Sequence, residues 1–145
     1  MTTVNVYLTF QGNCEEAFNF YKSVFGGEFE SVNRFGEMPS AEDYNVSDSE
    51  KDKIMHISLP ISAETMLMGS DNAENSGFKT RFGNNFSISI HCDSKEESDR
   101  LFSKLSAGGR VYMPMNDTFW GSYFGMFSDQ FGIQWMINCP LEQPG

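Results

Sequence analysis

An internal repeat constrains the fold of this chain more than any other feature of its sequence. Residues 15–27 read EEAFNFYKSVFGG, and residues 96–109 read EESDRLFSKLSAGG. Both segments begin with two glutamates, carry apolar residues at helical spacing and stop at a pair of glycines. A duplicated segment of this kind indicates a fold assembled from two copies of one structural unit.

Each copy of the repeat is predicted to form a helix. Asn13 and Ser94 stand at the N-cap positions, and Glu16 and Glu97 follow at the third helical position, as in a capping box. The glycine pairs favour the left-handed backbone that ends a helix. The residues expected in the buried stripes are Ala17, Phe20, Tyr21, Val24 and Phe25 in the first helix, and Leu101, Phe102 and Leu105 in the second.

A strand is predicted before each helix, and three more strands after it. Val4–Phe10 and Phe86–Cys92 alternate apolar and polar residues, which is typical of a half-buried strand. The strands that follow are predicted at Glu28–Phe35, Met55–Leu59 and Glu64–Ser70 in the first half, and at Arg110–Met115, Ser122–Phe127 and Ile133–Asn138 in the second. Each half therefore has the order βαβββ.

These elements predict an α+β fold with one domain at residues 1–145, made of two modules at about residues 1–72 and 84–140. A chain of this length can bury a core without disulfides. A polar loop is expected at Gly36–Lys53, and a linker rich in Asn, Gly and Ser near Asp71–Asn85.

Composition and charge narrow the possible partners. The net charge is −10 and the sequence has no cluster of Lys or Arg, which argues against nucleic-acid binding. No apolar run approaches the roughly 18 residues that a membrane-spanning helix needs, so we predict no membrane association. The three cysteines are widely spaced and the N-terminus does not read as a signal peptide, which together predict a cytoplasmic protein with reduced thiols.

Several short stretches resemble one family. They are FQGNCEEAFNFY at 10–21, FGEMP at 35–39, MGSD at 68–71, DTFWGSYFG at 117–125 and SDQFGIQWMIN at 128–138. In this order they resemble the PhnB-like branch of the vicinal oxygen chelate superfamily, which contains glyoxalase I, extradiol dioxygenases and bleomycin-resistance proteins. The resemblance implies two βαβββ modules that form a curved mixed sheet around a cup, in a homodimer.

The resemblance also implies a divalent metal held by His, Glu or Gln on the first and last strand of each module. This sequence departs from that pattern, since no His, Asp, Glu or Cys lies within Val4–Gln11, and Met68, Ser87 and Met136 occupy the other three positions. We therefore expect no metal and no other cofactor. The alternative is a divalent metal held by relocated ligands, for which the candidates are His56, His91, Glu64 and Asp71.

The function predicted from these observations is the binding of a small, partly aromatic molecule in the cup, without the metal of the superfamily. Two alternatives remain: a metal-dependent lyase, isomerase or dioxygenase, and a non-catalytic protein whose cup is filled by its own side chains. No glycine-rich loop joins a strand to a helix, so a nucleotide-fold methyltransferase activity is not expected. The predicted ligand-binding residues are Tyr7, Thr9, His56, Met68, Ser87, Trp120, Tyr123, Gln134 and Met136, with Met66, Ser89 and Met126 beside them.

Two residues near these positions have separate expectations. Trp135 alternates with Met136 and is expected beneath a helix. Glu37, at the start of the polar loop, is a carboxylate that could point into the cup.

Overall fold

The computed structural model describes residues 2–37, 48–72 and 79–141. Its strands and helices follow the predicted order closely, and one 3-10 turn follows β2 at Phe35–Glu37. The first half contains β1 Val6–Phe10, α1 Cys14–Phe25, β2 Ser31–Arg34, β3 Ile54–Pro60 and β4 Met66–Asp71. The second contains β5 Ile88–His91, α2 Lys95–Ser106, β6 Arg110–Asp117, β7 Ser122–Ser128 and β8 Gln134–Pro140. Most of the predicted polar loop, at 38–47, and part of the predicted linker, at 73–78, lie outside the described residues.

The chain divides into two compact units, Met1–Arg81 and Phe82–Gly145. Each unit holds a four-stranded mixed sheet, in the order β1-β4-β3-β2 in the first and β5-β8-β7-β6 in the second. The first and last strands of a unit are parallel neighbours, and the other pairs are antiparallel. The predicted α+β class and the βαβββ order are therefore confirmed.

In the first unit a glycine fixes how the helix lies on the sheet. A Cβ added at Gly69 would stand 2.7 Å from the ring of Phe18, so α1 packs on this side of β4. Leu8 and Ile57 flank Gly69 in register, and both are buried. Since side chains alternate along a strand, the neighbouring positions point away from α1. We call the side of each sheet that faces away from its own helix the open face.

The buried stripe of α1 differs from the prediction at two residues. Ala17, Tyr21 and Val24 are buried as expected, but Phe20 and Phe25 are only half-buried. Phe18 takes the inner position because it fills the space that Gly69 leaves. Val4, the first residue of the predicted strand Val4–Phe10, is 93% exposed, since β1 begins only at Val6.

The two helices begin in different ways. Ser94 caps α2 as predicted, because its Oγ accepts a hydrogen bond from the backbone N–H of Glu97 at 3.1 Å. Asn13 occupies the predicted N-cap position of α1, but its side chain makes no capping hydrogen bond, so the predicted capping box does not form there. A carboxylate from β4 takes its place: Asp71 Oδ1 accepts hydrogen bonds from the backbone N–H groups of Gly12 and Cys14, each at 2.9 Å.

In the second unit Gly125 occupies the corresponding place under α2. A Cβ there would lie 2.9 Å from the ring of Phe102, which packs edge-on against Phe127 with ring centroids 5.0 Å apart. Leu101 and Leu105 are buried as predicted. Trp135 is fully buried on this side, which confirms its predicted position beneath a helix.

The turn before β8 depends on one carboxylate. Asp129 Oδ1 accepts hydrogen bonds from the N–H groups of Phe131 and Ile133 at 2.8 and 3.1 Å, and its Oδ2 accepts one from Trp135 Nε1 at 2.9 Å. Gly132, at a φ of 90°, completes the turn. This interaction orients Trp135 and thereby sets which side of β8 faces the helix.

Strand β6 is an irregular edge of the second sheet. Its pairing with β7 shifts between Val111 and Met113 and again between Met113 and Asn116, and it contains Pro114, which has no backbone N–H. The first shift leaves Tyr112 as an extra residue beside Met113. In the part of the chain that the structure describes, no helix is long and apolar enough to cross a membrane.

Candidate functional site

The open face of the first sheet carries one continuous row of side chains. Tyr7 lies in register with Met68, Met68 with Ser58, and Ser58 with Ser31. Ser31 Oγ and Ser58 Oγ are 2.9 Å apart and share a hydrogen bond. The row therefore runs from a phenol through a thioether to a pair of hydroxyls.

A second row lies beside it on the same face. His56 is in register with Asn33 on β2, and Thr9 with Ser70 on β4. The His56 ring stacks on that of Tyr7, with centroids 6.0 Å apart and an interplanar angle of 29°. All four residues predicted for this unit, Tyr7, Thr9, His56 and Met68, thus share one face.

The open face of the second sheet is dominated by methionine. Met136 on β8 is in register with Met126 on β7, which is in register with Met113 on β6. On the other side of Met136 the register partner is Ser89. We call Met136, Met126 and Met113 the methionine row. Adjacent strands are about 4.8 Å apart, so the row is about 10 Å long.

Two further rows, polar except for Phe124, flank the methionine row, each about 7 Å away along the strands. On one side Gln134 is in register with Ser128, and Ser128 with Arg110. On the other side the row consists of His91, Asn138, Phe124 and Asn116. The apolar surface is thus bordered by amides, and the guanidinium of Arg110 lies at one corner, 5.3 Å from the ring of Tyr112.

Trp120 stands at the end of the β6–β7 hairpin. Thr118 Oγ1 donates to the carbonyl of Ser122 at 2.7 Å, and Gly121, at a φ of 91°, completes the turn. The Trp120 ring meets Phe124 edge-on at 5.8 Å and is 54% exposed. Trp120 therefore forms an aromatic wall beside the open face, together with Phe124.

Two of the predicted residues do not lie where the sequence interpretation put them. Tyr123 points toward α2, where its hydroxyl donates to Asp99 Oδ1 at 2.7 Å and the Lys95 ammonium lies 4.8 Å from its ring. Ser87 precedes β5, and the residue paired with Met136 is Ser89. Trp120, Gln134 and Met136 belong to the open face or its border.

The side chains present do not fit the metal that the superfamily resemblance implies. The paired positions on first and last strands hold Tyr7 with Met68 and Ser89 with Met136. A phenol, an aliphatic hydroxyl and two thioethers are poor ligands for a hard or borderline divalent ion. Among residues 2–37, 48–72 and 79–141, no three His, Cys, Asp or Glu residues are grouped closely enough to hold a metal ion.

The carboxylates and the imidazole that could form a relocated metal site are either hydrogen-bonded to the backbone or exposed. Asp71 is 4% exposed, and its Oδ2 accepts a hydrogen bond from the Ile54 N–H at 2.9 Å in addition to those from the start of α1. Glu64 is exposed beside the β3–β4 turn, and His91 is exposed on the edge strand β5. Glu37 Oε2 accepts a hydrogen bond from the Arg34 N–H at 3.2 Å.

The thiols are core groups. Cys14, Cys92 and Cys139 are all buried and unbridged. Burial raises the pKa of the Cys14 thiol, and the negative charges of Asp71 and Glu15 raise it further. Burial also raises the pKa of Cys92. Neither environment favours the thiolate that a nucleophilic cysteine requires.

Comparison with known proteins assigns the family. A family model described as 3-demethylubiquinone-9 3-methyltransferase matches residues 2–138. Protein YjdN of Escherichia coli (strain K12) is 35% identical over 144 residues, which are 95% of each chain. Protein PA1353 of Pseudomonas aeruginosa, known from a crystal structure, is 42% identical with a TM-score of 0.84, covering 98% of this chain and 100% of that one.

More distant structures share the fold. The PhnB protein of Bacillus cereus is 26% identical with a TM-score of 0.74, covering 95% of this chain and 99% of that one. A glyoxalase/bleomycin resistance protein/dioxygenase family enzyme of Burkholderia phytofirmans PsJN is 17% identical with a TM-score of 0.61, covering 95% and 100%. The fold is thus that of the glyoxalase/bleomycin resistance/dioxygenase superfamily. Within it, the chain belongs to the family that the matching model describes as 3-demethylubiquinone-9 3-methyltransferase, the PhnB-like branch predicted from the sequence.

Proposed function

We propose that this protein binds a small, partly aromatic molecule on the open faces of its sheets, without a divalent metal or other cofactor. The observation that carries the proposal is the pair of register contacts between first and last strands, Tyr7 with Met68 and Ser89 with Met136. These positions supply aromatic, thioether and hydroxyl groups where the resemblance implies metal ligands. Such groups recognise apolar or aromatic molecules and coordinate hard cations poorly.

The surroundings of these pairs suit an aromatic ligand that carries a few polar groups. The stacked rings of Tyr7 and His56 and the methionine row offer apolar surface, and thioethers make favourable contacts with aromatic rings. The hydroxyls of Ser31 and Ser58 lie in the row that contains Met68 and can orient a polar substituent. This combination matches the composition of ordinary small-molecule sites.

The family description names a methyl transfer, which the local structure does not favour. A nucleotide-fold methyltransferase holds its cofactor on a glycine-rich loop between a strand and a helix. Here Gln11–Asn13 joins β1 to α1, and Cys92–Ser94 joins β5 to α2, and together these links contain one glycine. Methyl transfer, like the metal-dependent lyase, isomerase or dioxygenase reactions of the alternative, is therefore not part of the proposal, and an assay for turnover of a methyl donor tests it separately.

The experiment is a metal analysis followed by a thermal-shift screen. Protein purified without a His-tag is dialysed against Mn²⁺, Ni²⁺, Zn²⁺ or Fe²⁺ in turn, and its metal content is measured. We expect substoichiometric metal in every case, and a higher Tm with naphthalene-based fragments. At a ligand concentration of 100 times Kd the stabilisation is about 2.7 kcal/mol. Met68→Lys is expected to weaken binding at the first open face, and Lys104→Met, on the outer surface of α2, serves as the control.

A stoichiometric metal that survives dialysis would overturn the proposal and favour the metal-dependent alternative. Turnover of a methyl donor would favour the activity in the family description. The homodimer and the cytoplasmic location predicted from the sequence also remain proposals. Sedimentation equilibrium of the untagged protein would test the homodimer, and a concentration-independent monomer mass would contradict it.

A further inference from the structure

We infer that the open face of the second sheet binds a planar aromatic acid, whose ring lies across the methionine row and whose acidic group faces Arg110. The inference rests on the proposed function and names the class of ligand for this face. The methionine row lies between two flanking rows, and one of these contains Arg110. Arg110 is the one strand residue on this face with a fixed positive charge, so an apolar surface lies beside a cation.

The methionine row has the dimensions of a small ring system. Its three thioethers lie on adjacent strands and span about 10 Å, close to the length of two fused six-membered rings with a substituent. Met126 and Met136 are half-buried and Met113 is 42% exposed, so the stripe is accessible in the isolated chain. Flexible thioethers adapt to a flat ring and contact it at about 5 Å.

The aromatic wall adds a preference for rings over aliphatic chains. Phe124 lies two residues from Met126 on β7 and on the same face, and Trp120 meets it edge-on. A ring placed on the methionine row would meet the edge of this pair in the offset or T-shaped arrangement that aromatic groups prefer.

The charge distribution selects an acid. The chain as a whole has a net charge of −10, which opposes the approach of an anion. Strands β5 to β8 nevertheless contain a single carboxylate, Asp117, and it lies toward α2 in an ion pair of 3.0 Å with Lys95. The open face of this sheet thus carries no acidic strand residue, whereas Arg110 stands on it, in register with Ser128.

The row of Arg110 is also equipped to hold an anion. A guanidinium binds a carboxylate through two parallel N–H donors. Gln134 and Ser128 lie in the same row and supply neutral donors beside it. In the row on the other side of the methionine row, the only titratable strand residue is His91, on the edge strand β5. Substitution of His91 is therefore the matched control that tests whether the acidic group of the ligand faces Arg110.

The experiment compares two isosteric probes, 2-naphthoate and 2-naphthamide, by quenching of tryptophan fluorescence in the full chain. We expect 2-naphthoate to bind about tenfold more tightly than the amide. Arg110→Gln is expected to remove this preference while still binding both probes, which also shows that the variant is folded. His91→Gln is expected to preserve the preference. In protein with ¹³C-methyl methionine, both probes should shift the resonances of Met113, Met126 and Met136.

The outcomes separate this inference from the proposed function. Three results would overturn the inference alone. The first is equal affinity for the two probes, and the second is a preference for 2-naphthoate that persists in Arg110→Gln or disappears in His91→Gln. The third is a set of resonance shifts confined to methionines of the first unit, such as Met68. Absence of binding by either probe would overturn the inference, and a negative result across the wider fragment screen would overturn the proposed function with it.

Discussion

The carboxylate of Asp71, at the end of β4, accepts a hydrogen bond of 2.9 Å from the backbone N–H of Cys14, the first residue of α1. The same carboxylate accepts hydrogen bonds from Gly12 and Ile54, so one buried side chain joins the start of the helix to the start of β3 and the end of β4. The N-terminus of a helix leaves backbone N–H groups without partners and carries a partial positive charge, and a buried carboxylate offsets both.

We expect Asp71→Asn to lower the free energy of unfolding by about 1–3 kcal/mol, because an amide nitrogen would replace one acceptor and face a backbone N–H. Urea denaturation followed by circular dichroism measures the effect. Asp93→Asn, at an exposed position before α2, is the control and should stay within about 0.5 kcal/mol of the parent. Equal losses in the two variants would contradict the role assigned to Asp71.

Gly69→Ala is expected to destabilise the first unit by about 1–3 kcal/mol, as overpacking usually does. The added Cβ would lie 2.7 Å from the Phe18 ring and 2.8 Å from the carbonyl oxygen of Leu8. Gly83→Ala is the matched control, since its Cβ would come no closer than 3.7 Å to Asn85. Thermal unfolding of both variants measures the difference in stability. If Gly69→Ala were as stable as Gly83→Ala, the close packing of α1 against β4 at Gly69 would be contradicted.

Tyr123 should ionise well above the ordinary pH range of a tyrosine. Its hydrogen bond to Asp99, together with burial and the charges of Asp99 and Asp117, raises its pKa from 10.0 to about 12. Since the folded state holds this proton more tightly than the unfolded state does, the resulting stabilisation is fully present below pH 10 and is lost as the pH rises toward about 12. Ultraviolet titration of phenolate absorbance should show a component near pH 12 whose amplitude falls by one tyrosine in Tyr123→Phe. An unchanged amplitude near pH 12 in that variant would refute the assignment.

The register of β5 with β8 makes a prediction about metal binding that can be tested by design. The double variant Ser89→His/Met136→Glu would place an imidazole and a carboxylate on directly opposed positions of two parallel strands that lie about 4.8 Å apart. We expect it to bind Ni²⁺ or Zn²⁺ at least about tenfold more tightly than Ser87→His/Met136→Glu, where the two positions lie on a diagonal of about 8 Å. Calorimetric titration measures both affinities, and a reversed order would contradict the register.

Local sequence patterns were sufficient to predict the elements of this fold. Period-2 alternation located β1 and β5, and the helices began and ended near the predicted residues because their polar and glycine boundaries lie beside them in the chain. The open-face positions of Tyr7, Met68 and Met136 also follow from alternation, once the helix side of each strand is known.

Contacts between residues that are distant in sequence could not be predicted from these local patterns. Alternation placed Tyr123 on the side opposite to its neighbours without indicating which side was open, and its contacts with Asp99 and Lys95 of α2 settle that question. The rotation of α1 depends on Phe18 meeting Gly69, 51 positions away, so Phe20 was wrongly expected in the core. Local patterns do not predict the methionine row as a unit, because it combines residues from three strands and its register includes a bulge at Tyr112. The signal that could have found it is that Met126 and Met136 fall on the same side of an antiparallel pair.

The two helix starts described above imply different times of formation during folding. The Ser94 cap closes over three residues, so α2 can acquire it while most of the chain is still disordered. The carboxylate that serves α1 lies 57 residues away, so this contact must await closure of a long loop. We expect pulse-labelling hydrogen exchange to find the Glu97 amide protected before that of Cys14, and simultaneous protection would contradict this order. In the second unit the cap of α2 thus forms from residues that are adjacent in sequence. In the first unit the cap of α1 forms only after β4, the last strand of its sheet, has packed beside β1.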